Sequence, residues 1–165
     1  MTVVAVISDT HMPRGGRRLP EAFVERIEGA DLLVHAGDFM TVEVLRDLER
    51  IGPPLVGVHG NVDTEELRRL LPAERIVAVE QARIALIHDA GPSAGRLERM
   101  RRRFGDIADA VVFGHSHLPL HESADDGFQI FNPGSPTERR RAPAHTMGVA
   151  RVEGSTIEFE LIRST

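Results

Sequence analysis

Residues 3–8 form a continuous apolar, β-branched run that stops abruptly at Asp9-Thr10-His11, and the same design recurs along the chain. Residues 32–35 and 55–58 follow it, with further apolar runs at 76–79, 84–88 and 111–113. A strand with one wet face alternates apolar and polar residues, so runs without alternation indicate strands covered on both faces. Helical spacing fills the gaps: Leu19, Phe23 and Ile27, then Val42, Leu45 and Leu48, and later Leu97, Met100 and Phe104. This alternation predicts a parallel sheet with crossover helices. From Leu118 onward the pattern changes to short strands and turns, such as Asp125-Asp126-Gly127 and Val152-Glu153-Gly154-Ser155, so antiparallel pairing is expected there. The fold class is α/β followed by mostly antiparallel β. No internal repeat or linker-like segment interrupts residues 1–165, which are expected to form a single domain.

Composition narrows function by exclusion. There is no cysteine, which rules out disulfide frameworks, thiolate zinc sites and cysteine nucleophiles. An apolar share of 41% over 165 residues can bury a core without covalent staples. The net charge of −5 gives no general attraction to nucleic acid or to an anionic membrane. All basic residues are Arg, and Trp and Tyr are both absent, which leaves few flat platforms for stacking bases. Stable nucleic-acid binding is not expected. The first apolar run is too short to cross a membrane and lacks a basic n-region and a cleavage site, so a soluble, cytoplasmic protein is the expectation.

What terminates the apolar runs is more informative than the runs themselves. The first ends in Asp9-Thr10-His11, the second leads into Gly37-Asp38, and the third into Gly60-Asn61-Val62-Asp63. The fifth ends at His88 and the sixth in Gly114-His115-Ser116-His117. Carboxyl ends of parallel strands open onto one crevice, where ligands bind. Five segments therefore deliver oxygen and imidazole groups to one place, a set that suits Mn, Fe, Co, Ni or Zn. Two carboxylates, an amide and four imidazoles exceed what one ion needs, whereas a pair about 3.5–4 Å apart sharing a carboxylate would use them all. A glycine before Asp38, Asn61 and His115 leaves room for a tight exit from the strand.

In combination, Asp9-x-His11, Gly37-Asp38, Gly60-Asn61, His88 and Gly114-His115-x-His117 resemble the motifs of the calcineurin-like metallophosphoesterases. The short length and the Asn132-Pro133-Gly134-Ser135 segment are most similar to the small prokaryotic phosphodiesterase branch. The resemblance implies two packed mixed β-sheets flanked by helices. It implies two divalent metal ions, with Mn the first choice and Fe, Ni, Zn, Co or Mg as alternatives. One ion would be held by Asp9, His11, Asp38 and His117, the other by Asp38, Asn61, His88 and His115, with Asp38 bridging. The implied reaction is hydrolysis of a small phosphate ester, in the first place a phosphodiester, by a hydroxide bridging the two ions; a cyclic nucleotide, another small diester and a phosphomonoester are all left open as substrates. Asp38, Asn61 and Asp63 are the residues expected to take part in catalysis. A homo-oligomer is left open.

Two departures bear on that expectation. Many superfamily members follow the Asn with a His that helps protonate the leaving group; here the position is Val62, and Asp63 is the nearest substitute, as an acid or as an orienting group. Relatives often carry His-Gly-His after the fifth strand, where this chain has His88-Asp89-Ala90. His35 is read either as a partner of the metal ligands or as a packed strand residue, while His59, His121 and His145 have no motif partner. Phe39 and Met40 are read as pocket wall or as core, Arg101-Arg102-Arg103 as a solvated helix face, and Arg139-Arg140-Arg141 as surface or as a phosphate clamp. Two rival readings remain. Gly91-Pro92-Ser93-Ala94-Gly95 fits the nucleophile-elbow pattern of serine hydrolases, although Pro92 would constrain such an elbow. The superfamily also includes a retromer subunit that uses this fold as a protein-binding scaffold and has lost part of its metal site.

Overall fold

In the computed structural model, which describes residues 1–164 apart from the side chain of Arg14, the apolar runs are strands of two facing sheets. The first sheet is built on β1 (Thr2–Ile7), β2 (Leu32–His35) and β3 (Leu55–Gly57), paired in parallel. On its other side β1 pairs antiparallel with β9 (Thr146–Glu153), and β9 with β10 (Thr156–Arg163). The second sheet contains β4 (Glu74–Val79), β5 (Ala82–Ile87), β6 (Ala110–Val112), β7 (Leu120–Ser123) and β8 (Gln129–Asn132), in the order β4-β5-β6-β8-β7. In it β5, β6 and β8 run parallel, while β4 and β7 pair antiparallel at the edges.

The alternation of side chains along a strand sorts β1 between two cores. Val4 and Val6 point between the sheets, where they meet Ile84, Leu86, Val112 and Phe131 of the second sheet. Ala5 and Ile7 point outward beneath α1 (Glu21–Glu28) and α2 (Val42–Glu49), whose Phe23, Ile27, Leu45 and Leu48 are fully buried there. On the outside of the second sheet, Met100 and Phe104 of α4 (Arg96–Phe104) cover Val111 and Ile130. Each such side chain contributes about 1.5–3 kcal/mol by leaving water. Helices thus cover the outer face of each sheet, and the unbroken apolar runs are explained.

The parallel arrangement predicted from the strand–helix alternation is divided between the two sheets. After β3 the chain leaves the first sheet, and β4 and β5 form a hairpin whose turn begins with Glu80 in a left-handed conformation. A short helix, α3 (Glu65–Leu70), has no counterpart among the expected helices. It starts at Thr64, whose hydroxyl accepts the Leu67 N–H, and Leu67 is its only buried side chain, too brief a pattern to register as periodicity. Among the described residues no helix is long and apolar enough to cross a membrane.

Candidate metal centre

The two sheets bring their strand ends together at one rim. Asp9 and His11 follow β1, Asp38 follows β2, Asn61 follows β3, His88 follows β5, and His115 and His117 follow β6. All seven expected ligand residues meet there. Asp9, His11, Asp38, His88 and His117 are buried, whereas Asn61 and His115 stand at the solvent side.

Backbone groups orient these side chains. Asp9 turns Oδ2 to the Ser8 hydroxyl at 2.7 Å and to the His115 N–H at 2.9 Å, which leaves Oδ1 free. His88 faces the Ala36 carbonyl with Nδ1 at 2.8 Å, and His117 faces the Glu138 carbonyl with Nδ1, so each points Nε2 into the site. Asp38 accepts the Val62 N–H on Oδ1 at 3.0 Å, and its Oδ2 lies 3.4 Å from His11 Nε2 and 3.1 Å from His88 Nε2. Asn61 Oδ1 lies 3.0 Å from His88 Nε2 and 3.1 Å from His115 Nδ1. Asp63 turns away from this cluster. Its Oδ2 accepts the N–H groups of Asp38 at 3.0 Å and Gly60 at 2.7 Å, and its Oδ1 accepts that of Met40 at 2.8 Å.

Among the described residues four buried side-chain atoms have no hydrogen-bond partner: Arg17 Nη1 and, at the rim, Asp9 Oδ1, His11 Nε2 and His117 Nε2; the last three form one group. They face one another, with Asp9 Oδ1 at 3.4 Å from His117 Nε2 and 3.7 Å from His11 Nε2. Leaving a buried polar atom unsatisfied costs about 1–3 kcal/mol. One divalent cation among them would satisfy all three at once, and a carboxylate with two imidazoles is a common donor set for such an ion. A second group of convergent ligand atoms comes from Asp9, Asp38 and His88. The residues present therefore fit the metal expected of them.

Electrostatics point the same way. Burial opposes ionisation of Asp9, but His11 and His117 outweigh it and hold the carboxyl well below the usual carboxylate range. Asp38 is held down likewise against its burial by His11 and His88. Burial works against a charged His11 too, yet the two carboxylates beside it push its pKa up to about 9. With no ion, the imidazolium provides the cation that the carboxylates require; a metal would replace that proton.

The local backbone is unusual. Asp9 (φ 58°), His11 (φ 44°), Asp38 (φ 66°), His115 (φ 74°) and His117 (φ 63°) all adopt the left-handed region, which L-residues other than Gly rarely occupy. Two glycines matter through what they lack. A Cβ on Gly60 would lie 2.1 Å from Asp38 Oδ1, and one on Gly114 would lie 2.4 Å from Asp9 Oδ2 and 2.0 Å from the Ser8 hydroxyl.

Several supporting residues carry no sequence signal of their own. Glu138 pairs with Arg17 at 2.8 Å across the loops and turns Oε2 toward His11 Nδ1 at 3.6 Å. The Asn132-to-Ser135 segment braces the ligand loops: Asn132 Nδ2 donates to the Gly114 carbonyl at 3.1 Å and the Ser135 hydroxyl to the Asp9 carbonyl at 2.8 Å. His35 combines both roles expected of it. It is fully buried, stacked on Phe39 at 3.6 Å, and Nδ1 accepts the Gly37 N–H at 3.1 Å, which fixes the turn into Asp38. Phe39 is core rather than pocket wall.

The remaining candidates lie elsewhere. His121 bonds Gln129 at 2.7 Å and packs edge-on against Phe131 and Phe159. Arg101 pairs with Asp126 at 2.9 Å and Arg103 with Glu74, as a solvated helix face would. Ser93 lines a cavity with Arg96, Arg101, Glu122 and Asp126 but no histidine, so no base accompanies a serine nucleophile there.

The chain matches the calcineurin-like phosphoesterase superfamily domain over residues 1–155. It is 32% identical to a probable metallophosphoesterase of Methanothermobacter thermautotrophicus over 163 residues, covering 98% of this chain and 92% of that protein. A phosphodiesterase of Methanocaldococcus jannaschii is 27% identical over 144 residues, covering 79% of this chain and 82% of the relative. Among solved structures, vacuolar protein sorting 29 of Cryptosporidium parvum superposes with a TM-score of 0.79 at 20% identity, over 99% of this chain and 98% of that one, a likeness of fold alone. With its candidate ligand residues gathered at one rim and its sequence matched almost from end to end, this chain belongs to the calcineurin-like phosphoesterase superfamily.

Proposed function

We propose that the protein is a metal-dependent phosphodiesterase acting on a small phosphate ester at the Asp9–Asp38 centre. The observation that carries this reading is the set of buried, mutually facing and unpartnered atoms Asp9 Oδ1, His11 Nε2 and His117 Nε2. Without an ion these three atoms keep no hydrogen-bond partner, and only the proton on His11 offsets the carboxylate charge. Asp9, His11, Asp38 and His117 would hold one divalent ion, and Asp38, Asn61, His88 and His115 a second, with Mn the first choice. Asp38 would serve both ions, since its Oδ2 faces His11 as well as His88. Bound ions supply positive charge for the phosphate oxygens and acidify a water for attack at phosphorus.

The protein's own groups set the conditions for that chemistry. The exposed Asn61 and His115 place amide and imidazole where the ester enters. Asp63 acts as a positioning group: with both oxygens committed to backbone N–H groups, it locks the Asp38 turn to the Gly60 turn and has no oxygen left to protonate a leaving group. Val62, 38% exposed at the rim, offers no proton either. The preferred esters therefore have leaving groups that depart as stable anions.

The test strips the protein with chelator and assays bis(p-nitrophenyl) phosphate and p-nitrophenyl phosphate as Mn, Co, Ni, Zn or Mg is restored. Metal-restored hydrolysis of the diester, reduced at least about a hundredfold in Asp38→Asn, supports the reading. A protein that binds ions yet hydrolyses neither ester would favour the scaffold role, and one that binds none would refute the metal centre.

A further inference from the structure

We propose that Arg140 and Arg141, with Ser116 and Leu118, form a subsite for a second phosphate, so that the preferred substrates are phosphate esters whose organic part carries a further phosphoryl group, as many nucleotides do. The inference rests on the phosphodiesterase reading and extends it from the reaction to the substrate class.

These four residues line a cleft of about 300 Å³. Ser116 stands in the chain between His115 and His117, and Arg140 Nη1 reaches the His115 carbonyl at 3.5 Å, so the cleft opens one residue outward from two ligand residues. Both arginines are exposed, and among the described residues neither forms an ion pair. The acid nearest to them in sequence, Glu138, is already engaged by Arg17 and turned toward His11. By contrast Arg17, Arg101 and Arg103 each have a carboxylate partner. Two guanidinium groups without a carboxylate partner, in the cleft next to His115 and His117 of a chain with net charge −5, are suited to a phosphate, which guanidinium binds through paired N–H donors.

The loop that presents them has a definite shape. The Ala142 N–H donates to the Arg139 carbonyl at 2.8 Å, Arg139 Nη1 donates to the Ala142 carbonyl at 2.9 Å, and Arg140 is held at φ 49°. The ligand set fixes which phosphate the arginines meet. Both arginines are exposed whereas Asp9 and Asp38 are buried, so the reacting phosphate is assigned to the metal centre and the arginines to a group farther along the molecule. Leu118, 44% exposed in the same cleft, supplies apolar surface for a sugar or base between the two phosphates.

Calorimetry on the Mn-loaded protein with thymidine 3′,5′-bisphosphate and thymidine 5′-monophosphate tests the subsite without turnover. Wild type should bind the bisphosphate about tenfold or more tightly than the monophosphate, and Arg140→Gln/Arg141→Gln should close that gap to about twofold. Equal affinities in wild type, or a gap that survives the double substitution, overturn the proposal. Hydrolysis of thymidine 5′-(p-nitrophenyl phosphate) by wild type reports separately on the metal centre. Turnover without a bisphosphate preference refutes the subsite alone. An arginine-dependent preference without turnover supports the subsite and refutes only the catalytic reading.

Discussion

Gly60→Ala adds one methyl group, and it should disable the metal centre without unfolding the protein. The new Cβ would lie 2.1 Å from Asp38 Oδ1 and 2.6 Å from the Asp38 nitrogen, whereas real Cβ atoms essentially never come closer than 3.0 Å. The carboxylate must retreat by about 0.9 Å, and ligand atoms tolerate only about 0.2 Å around an ion before coordination suffers. Rotation of Asp38 alone cannot relieve the clash, because its backbone nitrogen is crowded as well and is tied to Asp63. Overpacking of this kind costs about 1–3 kcal/mol of stability, which a domain of this size survives. Metal affinity should fall more than the 10–100-fold typical of changes outside the coordination sphere, since Asp38 is itself a proposed ligand. Gly29→Ala is the matched control: its Cβ would meet nothing closer than 3.5 Å, and its φ of −81° suits alanine. Mn titration by calorimetry, with thermal unfolding in chelator, separates the two effects. If Gly60→Ala binds Mn within about twofold of Gly29→Ala, the carboxylate at Asp38 is not where the ions sit and the reasoning fails.

Three further outcomes are expected. Burial pushes the pKa of His35 from 6.5 down to about 3, so between those values the unfolded chain takes up a proton that the folded chain refuses. This contribution is intact above about pH 6.5 and is lost as pH falls toward 3; from pH 7 to pH 5 the stability gap between wild type and His35→Gln, by urea unfolding in chelator, should shrink by roughly 2 kcal/mol, and a constant gap refutes it. Glu138→Gln should weaken Mn binding about 10–100-fold by releasing His11 and Arg17, and unchanged affinity in a metal titration would show that Glu138 does not position the site. Gly148→Ala would place a Cβ 2.4 Å from the Phe131 ring, which stacks on Phe159 at 4.5 Å, and should cost about 1–3 kcal/mol in thermal unfolding while sparing metal binding; a wild-type melting temperature would contradict the packing described.

The residues gathered at the rim were legible because strand exits are local: an apolar run followed at once by Asp, Asn or His is visible within ten residues. Helices α1, α2 and α4 were legible for the same reason, each presenting Phe, Leu, Ile or Met at helical spacing. The division into two sheets was not contained in that pattern. The strand that pairs with β1 is β9, whose Val149 sits opposite Ala5 from far along the chain, and nothing near Ala5 specifies that partner. The resemblance, not the periodicity, supplied the two-sheet architecture. Glu138 was hidden for a related reason, since it lies in an arginine-rich irregular segment 121 residues from Arg17. Asp63 was found but open between two roles, because a carboxylate turned into backbone N–H groups and one facing a substrate look alike in sequence.

The left-handed backbone at Asp9, His11, Asp38, His115 and His117 bears on how such a site can persist. At about 1 kcal/mol for each non-glycine residue held there, the five together set aside an amount comparable to the low end of a small domain's net stability. Glycine at any of these positions would relax the backbone but remove the side chain. Stability alone gives no reason for these side chains, so the strain they carry is a cost that the fold bears at this one rim.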